Sequence, residues 1–279
     1  MFKIISDLGA DIPRNLKTKD LTLINQAVKI NGENKIYQLS SDDEMHQCFE
    51  DIKNATTYAT QAMGYQMLYD EIERVARNAD VLCFSFSQKL SATGGQMQRA
   101  CNDLNGKYGK VCYYDTQTAT VAQGLLVYCA LLCSKNNKTI EETVALLDQL
   151  KEKLHFYVLL DKDNHFFRGG RCDDMQNKSC VYPLLYLPKG DFYKQVAEFL
   201  SQSAGLSFIE RKVQKSSNSI IFIGHGNNVA QAQALAKKWQ TYAPIVDVCY
   251  VNPVMGVHTG KDPILVAYLQ DADLVKGLN

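Results

Sequence analysis

The chain has 279 residues, enough for one large or two modest domains with a substantial core. Its 30 basic and 30 acidic residues cancel, which leaves no overall field to recruit nucleic acid or an anionic membrane. The longest apolar run, residues 125–133, is too short to span a bilayer, and Asp7 interrupts the N-terminal apolar run too early for a secretory signal; no stable membrane insertion and a cytoplasmic location are therefore expected.

Nine cysteines, an odd number, are scattered without a Cys-x-x-Cys, and the five histidines are far apart. The ligand spacings of a structural zinc site are missing, so no metal is expected. A disulfide framework is not expected in a chain this long without an export signal. Cys83, Cys112, Cys129 and Cys249 fall in apolar segments and read as small buried thiols.

In chain order, a strand-like run at residues 2–5 comes first. Ser41-Asp-Asp-Glu44 then reads as a capping box opening a helix toward Lys53. Residues 63–76 carry Met67, Leu68, Ile72, Val75 and Ala76 as a helical stripe. A strand at 81–86 precedes a helix at 93–104, and a strand at 111–114 precedes helices at 119–133 and 140–154. Strands at 156–160, 220–223 and 246–251 follow, with a helix at 227–242. Several of the strands are short, continuous and apolar, as strands covered on both faces are. The alternation predicts an α/β fold: two α/β domains with largely parallel sheets and a ligand cleft between them, the first over residues 1–155 and the second over 156–279.

Ligands of open α/β sheets sit beyond the carboxyl ends of strands. Four such places carry small or hydroxyl residues: Ser6-Asp7, Ser87 to Gly94, Asp115-Thr116 and Gly224-His225-Gly226. Any one of them is also an ordinary turn. The segment from Ser87 to Gly94 says most, because hydroxyls, small residues and a helix start coincide there. Ser91 is placed as an N-cap, and Ala92 to Gly94 let a ligand approach the first turn. The free N–H groups and positive dipole end of that turn suit an anionic head group.

Other chemistries find less support. The loop lacks the Gly-Lys-Ser/Thr ending of a phosphate-binding loop, and no Gly-x-Gly-x-x-Gly follows a strand, so a nucleotide is not expected. No Gly-x-Ser-x-Gly elbow is present. A hydrolase or acyl-transfer enzyme using Ser87 or Ser91 would have to draw its histidine and acid from His225, His258, Asp7 and Asp115. Arg168-Gly-Gly-Arg171 sets guanidinium groups around a turn, either to meet a ligand or as a solvated loop. His258 is expected in a glycine-bracketed loop after the last strand, as a structural side chain or a pH-responsive one.

Taken in order, these segments resemble the DegV family of bacterial fatty-acid-binding proteins. Ile5-Ser-Asp-Leu-Gly-Ala-Asp-Ile-Pro13 resembles the family's opening, and Thr60-Gln61 the end of its Thr-Ser-Gln motif. Ser87-Gln-Lys-Leu-Ser-Ala-Thr93 is similar to Ser-Ser-x-Leu-Ser-Gly-Thr. Tyr114-Asp-Thr116, Gln123-Gly124, Gly169-Gly-Arg171 and Gly256-Val-His-Thr-Gly260 match the patterns that follow. The departures are Ala59 and Ala92 in place of a hydroxyl and a glycine, and Lys261-Asp-Pro263 in place of a terminal Pro-Gly. Arg211-Lys-Val213 is a poor match to the family's basic Lys-Val-Arg segment.

The resemblance implies a two-domain α/β protein holding one long-chain fatty acid between its domains, with no other cofactor. It also implies a partner, a fatty acid kinase catalytic protein to which the carboxylate is presented for acyl-phosphate formation. By the same resemblance Thr60 and Ser91 hydrogen-bond the carboxylate, Arg171 and His258 lie near it, and Ser87, Ala92 and Thr93 complete the head-group loop. A serine-dependent enzyme and a lipid-free regulatory protein of the same fold are the alternatives. Burying about fourteen methylenes at ~0.8 kcal/mol each yields roughly 11 kcal/mol of gross transfer energy, reduced by ordering the tail. Affinity can thus come mainly from the tail, with the polar contacts fixing orientation.

Overall fold

The computed structural model describes residues 1–37, 41–162, 164, 166, 170–172, 181–216 and 220–270. The first apolar run forms β1 (Lys3–Asp7), followed by β2 (Leu21–Ile24), β3 (Val28–Ile30) and β4 (Glu33–Lys35). The expected cap then opens α1 (Asp42–Lys53), where the Ser41 side chain accepts the Glu44 N–H at 3.1 Å. Next come β5 (Tyr58–Thr60), α2 (Tyr65–Ala76), β6 (Val81–Ser85), α3 (Thr93–Leu104), β7 (Val111–Asp115), α4 (Thr120–Lys135) and α5 (Ile140–Lys151). The remainder is β8 (Leu154–Leu159), β9 (Tyr182–Tyr186), β10 (Lys194–Phe199), α6 (Gln202–Gln214), β11 (Ile220–His225), α7 (Val229–Trp239), β12 (Ile245–Tyr250), α8 (Pro253–Thr259) and β13 (Ile264–Leu269).

The class is α/β, as expected, but only the first large sheet is parallel. That sheet has the order β2-β1-β6-β7, with all three pairings parallel. A small antiparallel sheet, β4-β3-β5, accompanies it. The second large sheet has the order β10-β9-β8-β13-β11-β12, in which β11–β12 alone is parallel and the other four pairings are antiparallel. The first sheet is parallel as expected, and the second is mostly antiparallel where largely parallel sheets were expected. Every residue of β11 and β13 is buried, and a strand covered on both faces is apolar whichever way its neighbour runs. The sequence reading also missed β13 itself, and so took β12 for the last strand.

The layers follow from which faces are apolar. α2 and α3 cover the outer face of the first sheet through Leu68, Ile72 and Met97 against Ile5 and Cys83. α6 and α7 cover the outer face of the second through Ile209 and Trp239 against Leu159, Ile223 and Val266. Between the sheets runs α4, which packs on β1, β8, β11 and β13. Fifteen of its sixteen residues are buried, and a helix apolar on every side belongs in an interior. One core therefore runs from Ile4 and Phe84 through Leu125 and Leu126 to Phe222 and Leu265. Cys83, Cys129 and Cys249 are buried thiols within these layers, and Cys112 is partly exposed. Among the described residues no His, Cys, Asp and Glu cluster could hold a metal, and no helix is long and apolar enough to cross a membrane.

Candidate functional site

β1 and β6 are parallel neighbours, so the loops after them leave the same edge of the sheet. Asp7 ties those loops together. Its buried carboxylate accepts N–H groups from Gly9 at 3.0 Å and Phe86 at 2.8 Å, and the Gln123 side-chain amide of α4 at 2.8 Å. Burial pushes its pKa up to about 6 against the pull of those hydrogen bonds.

The loop from β6 to α3 is a tight turn, with the N–H groups of Leu90 and Ser91 both donating to the Ser87 carbonyl at 2.9 and 3.0 Å. α3 begins at Thr93 with Ala92 in the cap position, so Ser91 lies one residue earlier than expected. Its hydroxyl still serves the helix start: it accepts the Thr93 N–H at 3.3 Å and donates to Thr93 Oγ1 at 3.2 Å. Thr93 Oγ1 in turn accepts the buried Met63 N–H at 3.1 Å, which pins the entry to α2 against α3. Thr93→Val should strand that N–H and cost about 1–3 kcal/mol, whereas Thr93→Ser should stay near wild type. Urea unfolding of the two variants measures the difference; equal stabilities would show that Met63 finds another partner.

The opposite wall comes from the second half of the chain. His258 lies on α8, where a loop was expected. The reason is local: Asn252 caps Met255 N–H at 3.0 Å, Pro253 occupies the first turn, and Gly260 at φ 86° ends the helix. Asn252 also donates through its backbone N–H and its side-chain amide to Asp11 Oδ1, at 2.9 and 2.8 Å, locking α8 to the segment after β1. His258 Nε2 sits 3.4 Å from Thr60 Oγ1. Burial, and then the charge of Arg171, push its pKa down to about 4, so the ring is neutral at pH 7. The Arg171 side chain donates from Nε to the Leu90 carbonyl at 2.9 Å, joining the second half to the turn after β6. His165, Arg168 and Gly169 lie outside the described residues.

These pieces enclose a cavity of about 380 Å³. Thr60, Ser91, Ala92, Thr93, Arg171 and His258 all line it, and Ser87 does not. Ser87 is 1% exposed and its hydroxyl has no hydrogen-bond partner. Of the four strand-end segments, Asp7 and residues 88–93 reach the cavity. Asp115-Thr116 does not, and His225 lines a second cavity of about 330 Å³. Among the described residues neither Ser87 nor Ser91 hydrogen-bonds to a histidine or a carboxylate, which is the contact a serine nucleophile needs. Sequence reasoning missed the apolar wall, made by Phe86, Leu90, Phe166, Tyr193, Val254 and Met255. Single aromatic and aliphatic residues in irregular sequence carry no periodic signal that could have marked them.

Two sheets around a shared buried helix, with a cavity framed by hydroxyls, an arginine and a neutral histidine, define an α/β protein with a cavity of small-molecule size. The family model described as uncharacterised protein, DegV family, matches residues 1–271, and the chain belongs to the DegV family. A DegV domain-containing protein of Clostridium perfringens is 27% identical, with 97% of this chain and 98% of that one covered. A DegV lipid binding protein from Thermotoga maritima has a similar structure, with a TM-score of 0.85 at 19% identity over 97% of this chain and 99% of that one. So does a stearic acid-binding protein from Eubacterium ventriosum, with a TM-score of 0.81 at 19% identity over 98% and 99% of the two chains.

Proposed function

We propose that the protein binds a long-chain fatty acid in this cavity and presents its carboxylate to a separate kinase that forms the acyl phosphate. Residues 1–155 act as the domain bearing the head-group loops, and residues 156–279 as the domain that covers the acyl chain. The carboxylate is held by Thr60 and Ser91, with Arg171 as its counter-charge, His258 as a neutral hydrogen-bonding ring and the first turn of α3 beneath it. The observation that carries this reading is convergence: six polar and small residues from positions 60 to 258 meet at one cavity whose remaining wall sets Phe86, Leu90, Phe166, Tyr193, Val254 and Met255 beside the polar Asp7, Gln26, Gln61, Gln88 and Lys89. Its volume falls within the range of small-molecule sites. Proteins of the same fold described as lipid binding and stearic acid-binding support the choice of ligand. Presentation is supported by the exposure of Ala92 and the partial exposure of Ser91 at the head-group end.

Denaturing mass spectrometry of an organic extract from freshly purified protein should yield close to one acyl chain per molecule. Added fatty acid should raise the melting temperature of delipidated protein. No acyl chain in the extract and no thermal shift would overturn the proposal. Ser91→Ala should weaken binding only about three- to tenfold, the worth of one hydrogen bond, because the tail supplies most of the affinity. Incubation of loaded protein with a fatty acid kinase and ATP should produce an acyl phosphate trappable by hydroxylamine; its absence would remove the presenting role while leaving the binding role.

A further inference from the structure

The second cavity, of about 330 Å³, shares no described lining residue with the first and lies at the carboxyl ends of β11 and β12. These strands are the parallel pair of the second sheet, with His225 beside Tyr250 at their ends. Such an edge is where α/β sheets hold ligands. The segment after β1 closes the cavity from the other side, bringing Asp11, Arg14 and Lys17 to it.

Two polar groups on this wall stand without a partner. His225 is 2% exposed, and its Nδ1 lies 2.6 Å from the Gly226 carbonyl oxygen, which can only accept. The proton of the neutral ring is therefore on Nδ1, and Nε2 is an acceptor. Burial lowers the pKa of the ring and keeps it neutral. Among the described residues nothing donates to Nε2, and its neighbours do not seal it in, so it opens on the cavity. The ammonium of the partly buried Lys17 makes no ion pair or hydrogen bond among the described residues. The other charges on the wall are engaged. Arg14 pairs with Asp42 at 3.0 Å. Asp11 gives Oδ1 to Asn252, and its Oδ2 is sealed from the cavity.

The chemistry that satisfies both groups is restricted. An alkyl chain satisfies neither, so this is not a second acyl site. Lys17 calls for an anion, and His225 for an O–H or N–H donor. An ammonium donor would bring a positive charge beside Lys17 and Arg14. A phosphate monoester would set a second negative charge against Asp11 and Asp42, whereas one carboxylate matches the one unpaired cation. We propose that this cavity binds a small hydroxycarboxylate, its carboxylate on Lys17 and its hydroxyl donating to His225 Nε2. The two cavities are independent, and this site does not require that the first hold a fatty acid.

Saturation-transfer NMR tests the site with a set of hydroxycarboxylates of two to six carbons, each beside the acid that lacks the hydroxyl. Protein loaded with octadecanoic acid is used, so that the first cavity is filled. At least one hydroxycarboxylate should bind about tenfold more tightly than its unsubstituted acid, the worth of one hydrogen bond. Lys17→Met should weaken that acid by at least about tenfold, and Lys17→Arg should retain it, with the bound octadecanoic acid unchanged in both. No binding by any of these acids would overturn the proposal. So would equal binding with and without the hydroxyl, or binding that Lys17→Met leaves unchanged. Binding to delipidated protein that disappears on loading places the acids at Arg171 and overturns it as well. If octadecanoic acid fails to bind, the fatty-acid reading falls by itself. A loss in Lys17→Met but not in Arg171→Met then still supports the second site, and the reverse overturns it.

Discussion

Replacing Gly124 with alanine should cost more than about 4 kcal/mol of stability or prevent folding altogether, at the far end of the range for single substitutions. A Cβ on Gly124 would stand 1.9 Å from the carbonyl oxygen of Asp11 and 2.7 Å from its carbonyl carbon. Both are backbone atoms, and neither is free to retreat. The Asp11 N–H donates to the Thr120 carbonyl at 3.2 Å, and its carboxylate is held from α8 by Asn252. Relief would require α4 to move off the segment after β1, and α4 is buried along almost its whole length between the sheets. The sign is the reverse of the usual one, since alanine ordinarily improves a helix interior by roughly 0.5–1 kcal/mol over glycine. Gly95→Ala on the exposed side of α3, where a Cβ would meet nothing within 4 Å, supplies the control and should be neutral or mildly stabilising. Urea unfolding monitored by circular dichroism reads both variants, and a Gly124→Ala protein of wild-type stability would refute the close approach.

The second large effect is expected at Asp11 and depends on pH. Burial raises its pKa from 3.8 to about 7, opposed by the hydrogen bonds from Asn252. The folded state holds this proton more tightly than the unfolded state does. The stability it contributes is therefore complete below pH 3.8 and is lost as pH rises through about 7. A displacement of about three pH units corresponds to about 4 kcal/mol, as an order of magnitude. Asp11→Asn keeps an oxygen to accept from Asn252 and cannot ionise. The variant should be more stable than wild type at pH 8 by up to that amount, with the gap closing toward pH 4. Urea titrations at pH 4, 6 and 8 measure it, and a difference that stays constant with pH would exclude the mechanism. His258 acts in the opposite direction. Its pKa is lowered from 6.5 to about 4, so its contribution is complete above 6.5 and is lost as pH falls toward 4, by at most about 3 kcal/mol. With Asp11 neutralised by substitution, the acid loss from His258 should stand out.

The site was legible where it is built from turn and cap chemistry. Ser41 before Glu44, the hydroxyl run from Ser87 into Thr93, and Asp7 at the end of an apolar strand all declare themselves through residue types that local backbone geometry demands. The same local rules misplace residues by small steps, as with Ser91, which precedes the cap by one residue and still bonds the first turn. Ser87, adjacent to this run, turned into the interior, because the turn that aims Ser91 at the cavity uses the Ser87 carbonyl as its acceptor.

The sequence by itself determined the α/β class, most of the long helices and the strands at residues 2–5, 81–86, 111–114 and 220–223, and of the seven residues expected at the site six line the cavity. The class, the helices and the strands rest on periodicity, and residues 91–93 on caps and turns, which are properties of near neighbours in the chain; Thr60, Arg171 and His258 were reached through the family resemblance. The tertiary structure alone decided the direction of the second sheet, the helix that carries His258, and the apolar wall of the cavity. Strand direction and wall composition depend on contacts between residues far apart in the chain, such as Ile220 with Leu269 and Asp11 with Asn252. Burial makes such residues apolar or satisfied without recording which partner buries them.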